Sequence, residues 1–301
     1  MNLRILVTIL FILFASKAYE QTQEQIEPPF NYHRDFKTIL DSSQDRNSSL
    51  YYQQLIIRFL DNDSTLTKAE TLALMIGYTE NPHYKPLEDM EKEVEIFDLN
   101  NNNEFQEAVE KAKPYLQTHP LSLLVLREIS YAYSRLSKDV QKDLLFEKAV
   151  MYQDSSAYFM ALNDKIMEAM IYSGKGRSAE TPIFSLGLSD GEYFIPNVGY
   201  KIEKKDTEWN KNKDFVEVIT AIDNLTTKNF YFVIQHAKQK IDDDKADELE
   251  NKKPKKPVKK KGKEEKHTKP ATKPATEPEP EPKLEPKPEP ISEPIPVAPV
   301  Q

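Results

Sequence analysis

The segment Gly187-Leu188-Ser189-Asp190-Gly191 matches G-x-S-x-G, the pattern around the nucleophilic serine of many hydrolases. That serine needs a strand before it, a helix after it and a parallel sheet around it. Here Asp190-Gly191 separates two short apolar runs, which is typical of a hairpin turn because glycine accepts a positive φ. Only His236 and His267 follow as bases. The sequence therefore predicts a hairpin rather than a catalytic serine, and a protein that is not an enzyme.

A charged segment with two glycines, Ser173-Gly174-Lys175-Gly176-Arg177-Ser178, ends the helical part of the chain. It lacks the G-x-x-x-x-G-K-[ST] spacing of a phosphate-binding loop and its flanking strand and helix. A helix C-cap followed by a turn into a sheet explains it better. The resulting loop, with Lys175, Arg177 and Glu180, is the candidate site for an anionic ligand or a partner.

Patterns for metal ligands are incomplete. Residues 98–104 alternate oxygen-bearing side chains as a calcium loop does, but Asn103 replaces the glycine and Val109 replaces the final glutamate of that loop. We interpret the segment as a turn between helices with Asn103 as N-cap. The five histidines have no zinc-ligand spacing and the chain has no cysteine. We predict neither a metal nor a cofactor.

Three glutamates, Glu91, Glu93 and Glu95, lie close together in the chain. Paired carboxylates can hydrolyse glycosides when an apolar pocket raises the pKa of one of them. These three lie in a charged stretch that predicts no such pocket, so we expect no acid–base chemistry from them. A separate short motif, Asp63-Ser64-Thr65, resembles the O-glycosylation acceptor sequence of Bacteroidetes and makes Ser64 a candidate for modification.

The net charge of −8 is distributed unevenly over the 301 residues. Residues 252–301 hold 13 lysines against 8 glutamates, and residues 1–18 hold two cations, which leaves −15 for residues 19–251. Binding to phosphates requires a basic face. The folded part is therefore not expected to bind nucleic acid.

The N-terminus has the pattern of an export signal. Arg4 precedes an apolar run from Ile5 to Ala15, and small residues precede a cleavage point after Ala18. The alternative, an uncleaved anchor, would need ~20 apolar residues. We predict a signal peptide over 1–18, no transmembrane segment in the mature chain, and a periplasmic or secreted protein. Because no cysteine follows the run, it is not a lipoprotein.

The C-terminal residues 242–301 are predicted to be a disordered tail, acidic at first and then rich in Lys, Pro and Glu. Thirteen prolines in residues 252–301 exclude helix and sheet there, because proline lacks the donor and fixes φ. Such a tail can be a solvated spacer or a tether to an acidic envelope polymer. At the other end, residues 19–45 are expected to form a partly ordered lead-in.

Residues 103–137 resemble the tetratricopeptide repeat. Tyr115 and Pro120 follow Ala108 at the spacing of the repeat's second helix, and Ser130 takes the small position of the next repeat. Small residues at Ala108 and Ser130 allow two helices to approach closely. Pro114 predicts a kink or an early helix end.

The remaining apolar spacing completes a helical region over 46–172. It predicts helices at 51–60 and 67–78, with a capping box from Thr67 to Glu70, and two more across 144–170. With the two of the repeat segment, about six helices form antiparallel pairs. Residues 173–241 change to period-two patterns, with clear strands at 214–222 and 228–234. We therefore predict an α+β fold, a tetratricopeptide-like helical body followed by a small antiparallel sheet.

Several motifs between residues 46 and 236 resemble a family of exported Bacteroidetes proteins, known as domain of unknown function 4919. They are Tyr52-x-x-Leu55-x-x-Arg58-Phe59, Met75-Ile76-Gly77-Tyr78-Thr79, Tyr84-Lys85-Pro86, the segment from Ser173 to Thr181, and Phe230-Tyr231-Phe232. The resemblance implies export and a helical body with a short sheet. It supplies no activity and no functional residue.

Three functions remain open from the sequence. We predict first an exported, non-enzymatic module that binds a protein or another envelope component on a concave helical surface. The alternative is a small-ligand-binding protein or enzyme whose site is the loop of Lys175, Arg177 and Glu180. A third is a spacer protein in which the tail is the functional part.

Overall fold

The computed structural model describes residues 30–223 and 226–251. The predicted signal peptide and the proline-rich segment 252–301 lie outside the described residues. Within the described ranges the helices are α1 (Tyr32–Gln44), α2 (Tyr52–Leu60), α3 (Lys68–Tyr78), α4 (Pro86–Asn101), α5 (Phe105–Thr118), α6 (Leu123–Lys142), α7 (Phe146–Ser173), α8 (Asp190–Asn197) and α9 (Gln235–Asn251). The strands are β1 (Ile183–Phe184), β2 (Lys201–Trp209), β3 (Phe215–Ile222) and β4 (Thr227–Val233).

The predicted α+β fold is confirmed, with six helices between residues 46 and 172. The capping box that starts α3 is also confirmed, because Thr67 and Glu70 bond each other's backbone. Two details differ from the prediction. Residues 146–173 form one helix rather than two, and α4 was not predicted, since its charged sequence shows little apolar spacing. No helix in the described ranges is long and apolar enough to cross a membrane.

Small residues bring α6 and α7 together along their length. The Ser130 hydroxyl donates to the Ser156 carbonyl oxygen at 2.8 Å, and the Ser156 hydroxyl donates to the Ser130 carbonyl oxygen at 2.8 Å. Further along, the Ser137 hydroxyl donates to the Ala149 carbonyl oxygen at 2.8 Å. The predicted close approach at Ser130 is therefore confirmed. In the neighbouring helix, α5 does not end early at Pro114 but continues to Thr118.

The sheet has the order β1-β4-β3-β2. The predicted strands β3 and β4 are confirmed and pair antiparallel, as do β2 and β3. The sheet is mixed rather than antiparallel, because β1 runs parallel to β4. The predicted hairpin at Asp190-Gly191 is wrong: these residues begin α8, with Asp190 and Glu192 in the first turn, where carboxylates favour the helix dipole.

One edge of the sheet is formed by β2, which was not predicted. Its residues are exposed except for Ile202, which is half-buried, so the strand shows no apolar alternation. The strand contains Lys201, Lys204 and Lys205 and an irregularity in pairing between residues 202 and 204. Charged side chains and bulges are typical of edge strands in stable proteins.

The helical body joins the sheet at the end of α7. The predicted C-cap is confirmed: α7 ends at Ser173, Gly174 is extended, and the Ser173 hydroxyl accepts the Phe184 N–H at 2.7 Å. A side chain on Gly174 would collide with the Pro182 carbonyl oxygen, 2.0 Å from the Cβ position. Glycine is therefore required where the chain turns back into β1.

Both ends of the described chain pack against this junction. In the lead-in predicted for 19–45, residues 32–44 form α1, and Phe30, Tyr32 and Phe36 contact the Phe184 ring. Residues 242–251, predicted as the start of the disordered tail, are helical and belong to α9. The ion pairs Lys238–Asp242 and Lys240–Asp244, each one turn apart, favour that helix.

Replacing Gly174 by alanine should destabilise the fold far more than the same change at Gly199. The backbone must move to accommodate a methyl group at Gly174, and we expect a loss of about 3 kcal/mol in the free energy of unfolding. Gly199 has φ +87° with open space around its Cβ position, so Gly199→Ala should cost only the strain of that conformation, about 1–2 kcal/mol. Urea denaturation of both variants measures this, and equal losses would contradict the steric argument.

Candidate functional site

The loop predicted as a binding site lies on the surface. Lys175, Arg177 and Glu180 are all exposed, and the Glu180 carboxylate lies 3.2 Å from Lys211 Nζ. The backbone of the loop is fixed to the sheet, because the Gly176 carbonyl oxygen accepts the Tyr231 N–H at 3.0 Å. A pocket between α4 and the loop that leads into α8 lies elsewhere, and none of these three side chains lines it.

The G-x-S-x-G serine lacks the exposed, strained position of a hydrolase nucleophile. The structure does place a strand before Ser189 and a helix after it, so the predicted hairpin was the wrong reason to reject the motif. Ser189, however, is buried and has φ −104°, an ordinary conformation, whereas a nucleophile elbow is strained and exposed. In the fold, Ser189 occupies the N-cap position, immediately before the first residue of α8.

The segment interpreted as a turn between helices begins later than predicted. Asp98 to Asn101 belong to α4, and Asn103 is not an N-cap but a left-handed residue that ends this helix, with φ +65°. Among the described residues, no group of three histidine, aspartate or glutamate side chains is arranged to hold a metal ion. In the Asp63-Ser64-Thr65 motif, Ser64 is exposed.

A pocket of about 30 Å³ opens between the helical body and the loop that leads into α8. Asp89 and Glu93 reach it from one face of α4, since residues four apart lie on the same side of a helix. His119 and Ser122 come from the turn between α5 and α6, and Asp190 comes from the first turn of α8. The pocket thus collects three carboxyl groups from two separate elements.

Each carboxyl group in the pocket has one oxygen held by the protein. Asp89 Oδ2 accepts the Lys85 N–H at 3.0 Å, and Asp190 Oδ2 accepts the Gly187 N–H at 2.7 Å. Glu93 Oε1 accepts from the Ser122 hydroxyl at 2.6 Å, and this hydroxyl also caps α6 by accepting the Val125 N–H. These bonds fix the orientation of the carboxyl groups toward the pocket.

Burial raises the pKa of Glu93 and of Asp190. The pKa of Glu93 is raised to about 8, first by burial and then by the negative charge of Asp190. Burial raises the pKa of Asp190 to about 6. Behind α8, burial also raises the pKa of Glu217, on β3, to about 7. The expectation that no pocket lies at Glu93 is therefore wrong: Glu93 is half-buried and lines the pocket, where Tyr115 and Ser122 donate to its carboxylate, whereas Glu91 and Glu95 are exposed.

A second feature is an exposed apolar group at the turn between α6 and α7. We call it the apolar tip, and it comprises Leu144, Leu145, Phe146, Val150 and Met151. The exposed fractions of Leu144 and Phe146 are 73 % and 61 %, and the other three are at least half exposed. Single exposed apolar residues are ordinary on protein surfaces, but a contiguous group marks an interaction surface. The sequence pattern predicted only that these residues are helical, since periodicity does not reveal which helix face lacks a neighbour.

The backbone of the apolar tip is a Schellman turn that occurs four times among the described residues, the fourth time at the end of α8 with Gly199 in the left-handed position. In each turn the left-handed residue donates its N–H to the carbonyl three residues earlier, and the next residue donates to the carbonyl five earlier. Asn62 and Asn103 occupy the left-handed position in the first two turns, with φ +53° and +65°. Leu144 occupies it in the third, with φ +62°. Asparagine tolerates this conformation, whereas leucine does not.

The model of the family described as "Domain of unknown function (DUF4919)" matches residues 37–243. The chain belongs to this family. The DUF4919 region contains both the pocket and the apolar tip and leaves residues 252–301 outside. No curated protein and no solved structure matches the chain significantly.

In this DUF4919 protein, replacing Glu93 by glutamine should make stability less dependent on pH. The folded state holds the Glu93 proton up to about pH 8, whereas the unfolded state releases it near pH 4.5. The resulting stabilisation is present below pH 4.5 and is lost as the pH rises through 8. At pH 9 we expect Glu93→Gln to exceed the wild type in the free energy of unfolding by ~1 kcal/mol or more.

Denaturant unfolding at pH 5.5 and pH 9 measures the difference. Asp190 and Glu217 titrate in the same range in both proteins, and His236, whose pKa burial lowers to about 4, acts in the opposite direction below pH 6.5. The difference between wild type and variant therefore isolates Glu93. Glu91→Gln, an exposed position on the same helix, is the control. A gain at pH 9 that equals the control's would contradict the assignment.

Proposed function

We propose that the chain is an exported, non-enzymatic interaction module of the cell envelope that binds a protein partner through the apolar tip. The observation that carries this proposal is Leu144 in the left-handed position of a turn that takes asparagine or glycine, namely Asn62, Asn103 and Gly199, at its other described occurrences. A left-handed leucine costs roughly 1–2 kcal/mol. A residue retained at such a cost, with its side chain in solvent, has a role outside the fold.

The next residue repeats the argument. Leu145 lies at the N-cap of α7, a position that favours serine, threonine, aspartate or asparagine, and it provides no side-chain cap. Leu144 at the end of α6 and Leu145 at the start of α7 are therefore both residues that do not suit the helix-end position they occupy. Both residues are apolar and at least half exposed, which is the composition of a docking surface rather than of a turn.

Hydrogen bonds between α6 and α7 hold the helices behind the apolar tip together. The Ser137–Ala149 hydrogen bond lies directly behind the apolar tip, and the reciprocal Ser130–Ser156 bonds fix the two helices further along. A surface on helices that are already joined loses less conformational entropy on binding. The burial of Ala108 and Ser130 also supports the tetratricopeptide-like interpretation of α5 and α6, a helical-repeat arrangement that serves protein binding.

The other parts of the proposal rest on the sequence. The signal peptide over 1–18 supports export, and the tail can act as a spacer from the envelope. The alternative, a ligand site or enzyme at Lys175, Arg177 and Glu180, is weakened because these side chains are exposed and Glu180 pairs with Lys211. The acidic balance of the body argues against nucleic acid as the partner.

The double change Leu144→Gly and Leu145→Asp should stabilise the protein and abolish binding. Glycine relieves the left-handed conformation and aspartate supplies the missing cap, so the free energy of unfolding should rise by about 1 kcal/mol. Removal of two apolar side chains should prevent partner capture. Urea denaturation measures the first effect, and quantitative capture from an envelope extract by immobilised residues 19–301 measures the second.

The control for this experiment is Ile171→Asp, which changes an exposed apolar residue on the same helix far from the apolar tip. Wild type and control should capture the same protein, and the double variant should lose it. Equal capture by the double variant, or capture lost equally in the control, would contradict the proposal. A rise in stability without a change in capture would show that Leu144 and Leu145 have no binding role.

Export predicts a defined N-terminus. The mature protein should begin at Tyr19, because cleavage after Ala18 leaves small residues at the positions that the peptidase reads. N-terminal sequencing and intact mass of protein from a periplasmic or culture fraction measure this. Recovery of the full 301-residue chain in the cytoplasmic fraction would contradict export.

A further inference from the structure

The pocket beside α4 contains three acidic side chains, Asp89, Glu93 and Asp190, and no lysine or arginine among its lining residues in the described part of the chain. Its single basic group is His119. Burial and then the negative charge of Asp190 raise the pKa of Glu93 to about 8, so this carboxyl group is neutral at neutral pH when no cation is beside it. The pocket therefore presents carboxyl groups on two elements without a lysine or arginine beside them, and a cation bound there would favour their ionised form.

One oxygen in this pocket has no hydrogen bond. Asp89 is 9 % exposed, and its buried Oδ1 accepts no donor. His119 Nε2 lies 3.1 Å from Asp89 Oδ1, but it also lies 3.1 Å from the His83 carbonyl oxygen. The Nε2–H of His119 meets hydrogen-bond geometry with the His83 carbonyl oxygen and not with Asp89 Oδ1. A buried carboxylate oxygen without a donor is costly, so a donor from outside the protein would be stabilised here.

The other donors around the pocket are already engaged. The Tyr78 hydroxyl donates to the Thr118 carbonyl oxygen at 2.9 Å, and the Tyr84 hydroxyl donates to the Leu186 carbonyl oxygen at 2.8 Å. Their oxygens point at backbone, while their rings remain part of the pocket wall. Aromatic rings and carboxylates together form the surroundings that favour an organic cation.

The size of the pocket restricts the ligand. A volume of about 30 Å³ accommodates roughly two water-sized groups, which suits a small cationic head rather than a whole metabolite. An ammonium group has three N–H donors at hydrogen-bond distance, and the pocket offers carboxyl groups on separate elements to receive them. A bare metal ion needs ligands at closer range, and no such group of three occurs among the described side chains.

We propose that this pocket binds a primary ammonium group, as at the end of a lysine side chain, between Asp89, Glu93 and Asp190. This site is independent of the apolar tip, so either can fail without the other. The source that we propose is a basic segment of a partner protein. Because residues 252–273 of this chain also hold eleven lysines, which can compete with an added probe, the experiment includes a variant without them.

The test is calorimetric titration of the full mature chain, residues 19–301, with Nα-acetyl-lysine amide as the probe. Nα-acetyl-norleucine amide, which lacks the ammonium group, is the neutral control. The same titration is made on a full-length variant in which the eleven lysines of residues 252–273 are replaced by glutamine. We expect saturable 1:1 binding of the lysine probe, with a Kd on the order of 1 mM or tighter, and no binding of the norleucine probe.

Binding to both chains with equal affinity would assign the pocket to a lysine from a partner. Binding at least tenfold weaker to the wild-type chain than to the glutamine variant would assign it to the chain's own tail and overturn the partner as the source. Absence of saturable binding in both chains, or equal binding of the norleucine probe, would overturn the proposal. If calcium chloride binds to the glutamine variant and displaces the lysine probe, the pocket is a metal-ion site rather than an ammonium site, and the proposal is overturned.

The pocket variants are Glu93→Gln and Asp190→Asn, each made in the glutamine-tail background. Both keep the shape and hydrogen-bonding capacity of the side chain, so the fold should persist, and an unchanged thermal midpoint within a few degrees verifies this. Each should weaken the lysine probe at least tenfold, while Glu91→Gln, exposed on the same helix, should leave it unchanged. Equal weakening in Glu91→Gln would show that only the overall acidic charge attracts the probe. If one pocket variant fails to fold, the other decides the outcome.

Discussion

The carbonyl oxygen of Leu186 joins the parts of this protein. It accepts the Tyr84 hydroxyl at 2.8 Å and lies 3.3 Å from His236 Nε2, which must donate to it. Tyr84 belongs to the connection between α3 and α4, and His236 to the start of α9, so one backbone oxygen connects the helical body, the loop before α8 and the last helix. His236 remains neutral there, stacked 4.8 Å from the Phe184 ring. The position of the pocket wall depends on this joint.

The sequence predicts the elements whose stability is local. Apolar spacing and the Thr67–Glu70 capping box identify α3, a β-branched run identifies β3, and an aromatic run identifies β4. The elements that it misses lack these signals. The charged strand β2 resembles a solvated loop, and α4 resembles a solvated charge run because only a few of its residues are buried. Asp190-Gly191 suits a hairpin and a helix start equally well, and the parallel pairing of β1 with β4 decides between them.

The candidate sites divide in the same way: the sequence indicates those that depend on neighbouring residues and misses those that depend on distant contacts. No residue near Glu93 in the chain indicates that it is partly buried, since its partner Ser122 is 29 residues away. The Tyr84–Leu186 hydrogen bond in the pocket wall spans 102 residues. The exposed loop of Lys175, Arg177 and Glu180, by contrast, was visible because it is local, and it lies where a glycine turn places it. At the apolar tip the unsuitable leucine is recognisable only after φ is known, because the residue types alone resemble an ordinary buried turn of helix.

The edge strand β2 limits how this protein can meet another chain. Many proteins recruit a partner by adding its backbone as one more strand to an open sheet. Here that row of backbone groups is flanked by lysine side chains and interrupted by the irregularity near Ile202, while the opposite edge, β1, is only two residues long. The lysines of β2 disfavour such pairing at one edge, and β1 is too short to template it at the other. Recognition through side chains is therefore favoured in the described body, so affinity and specificity change together when a surface residue mutates.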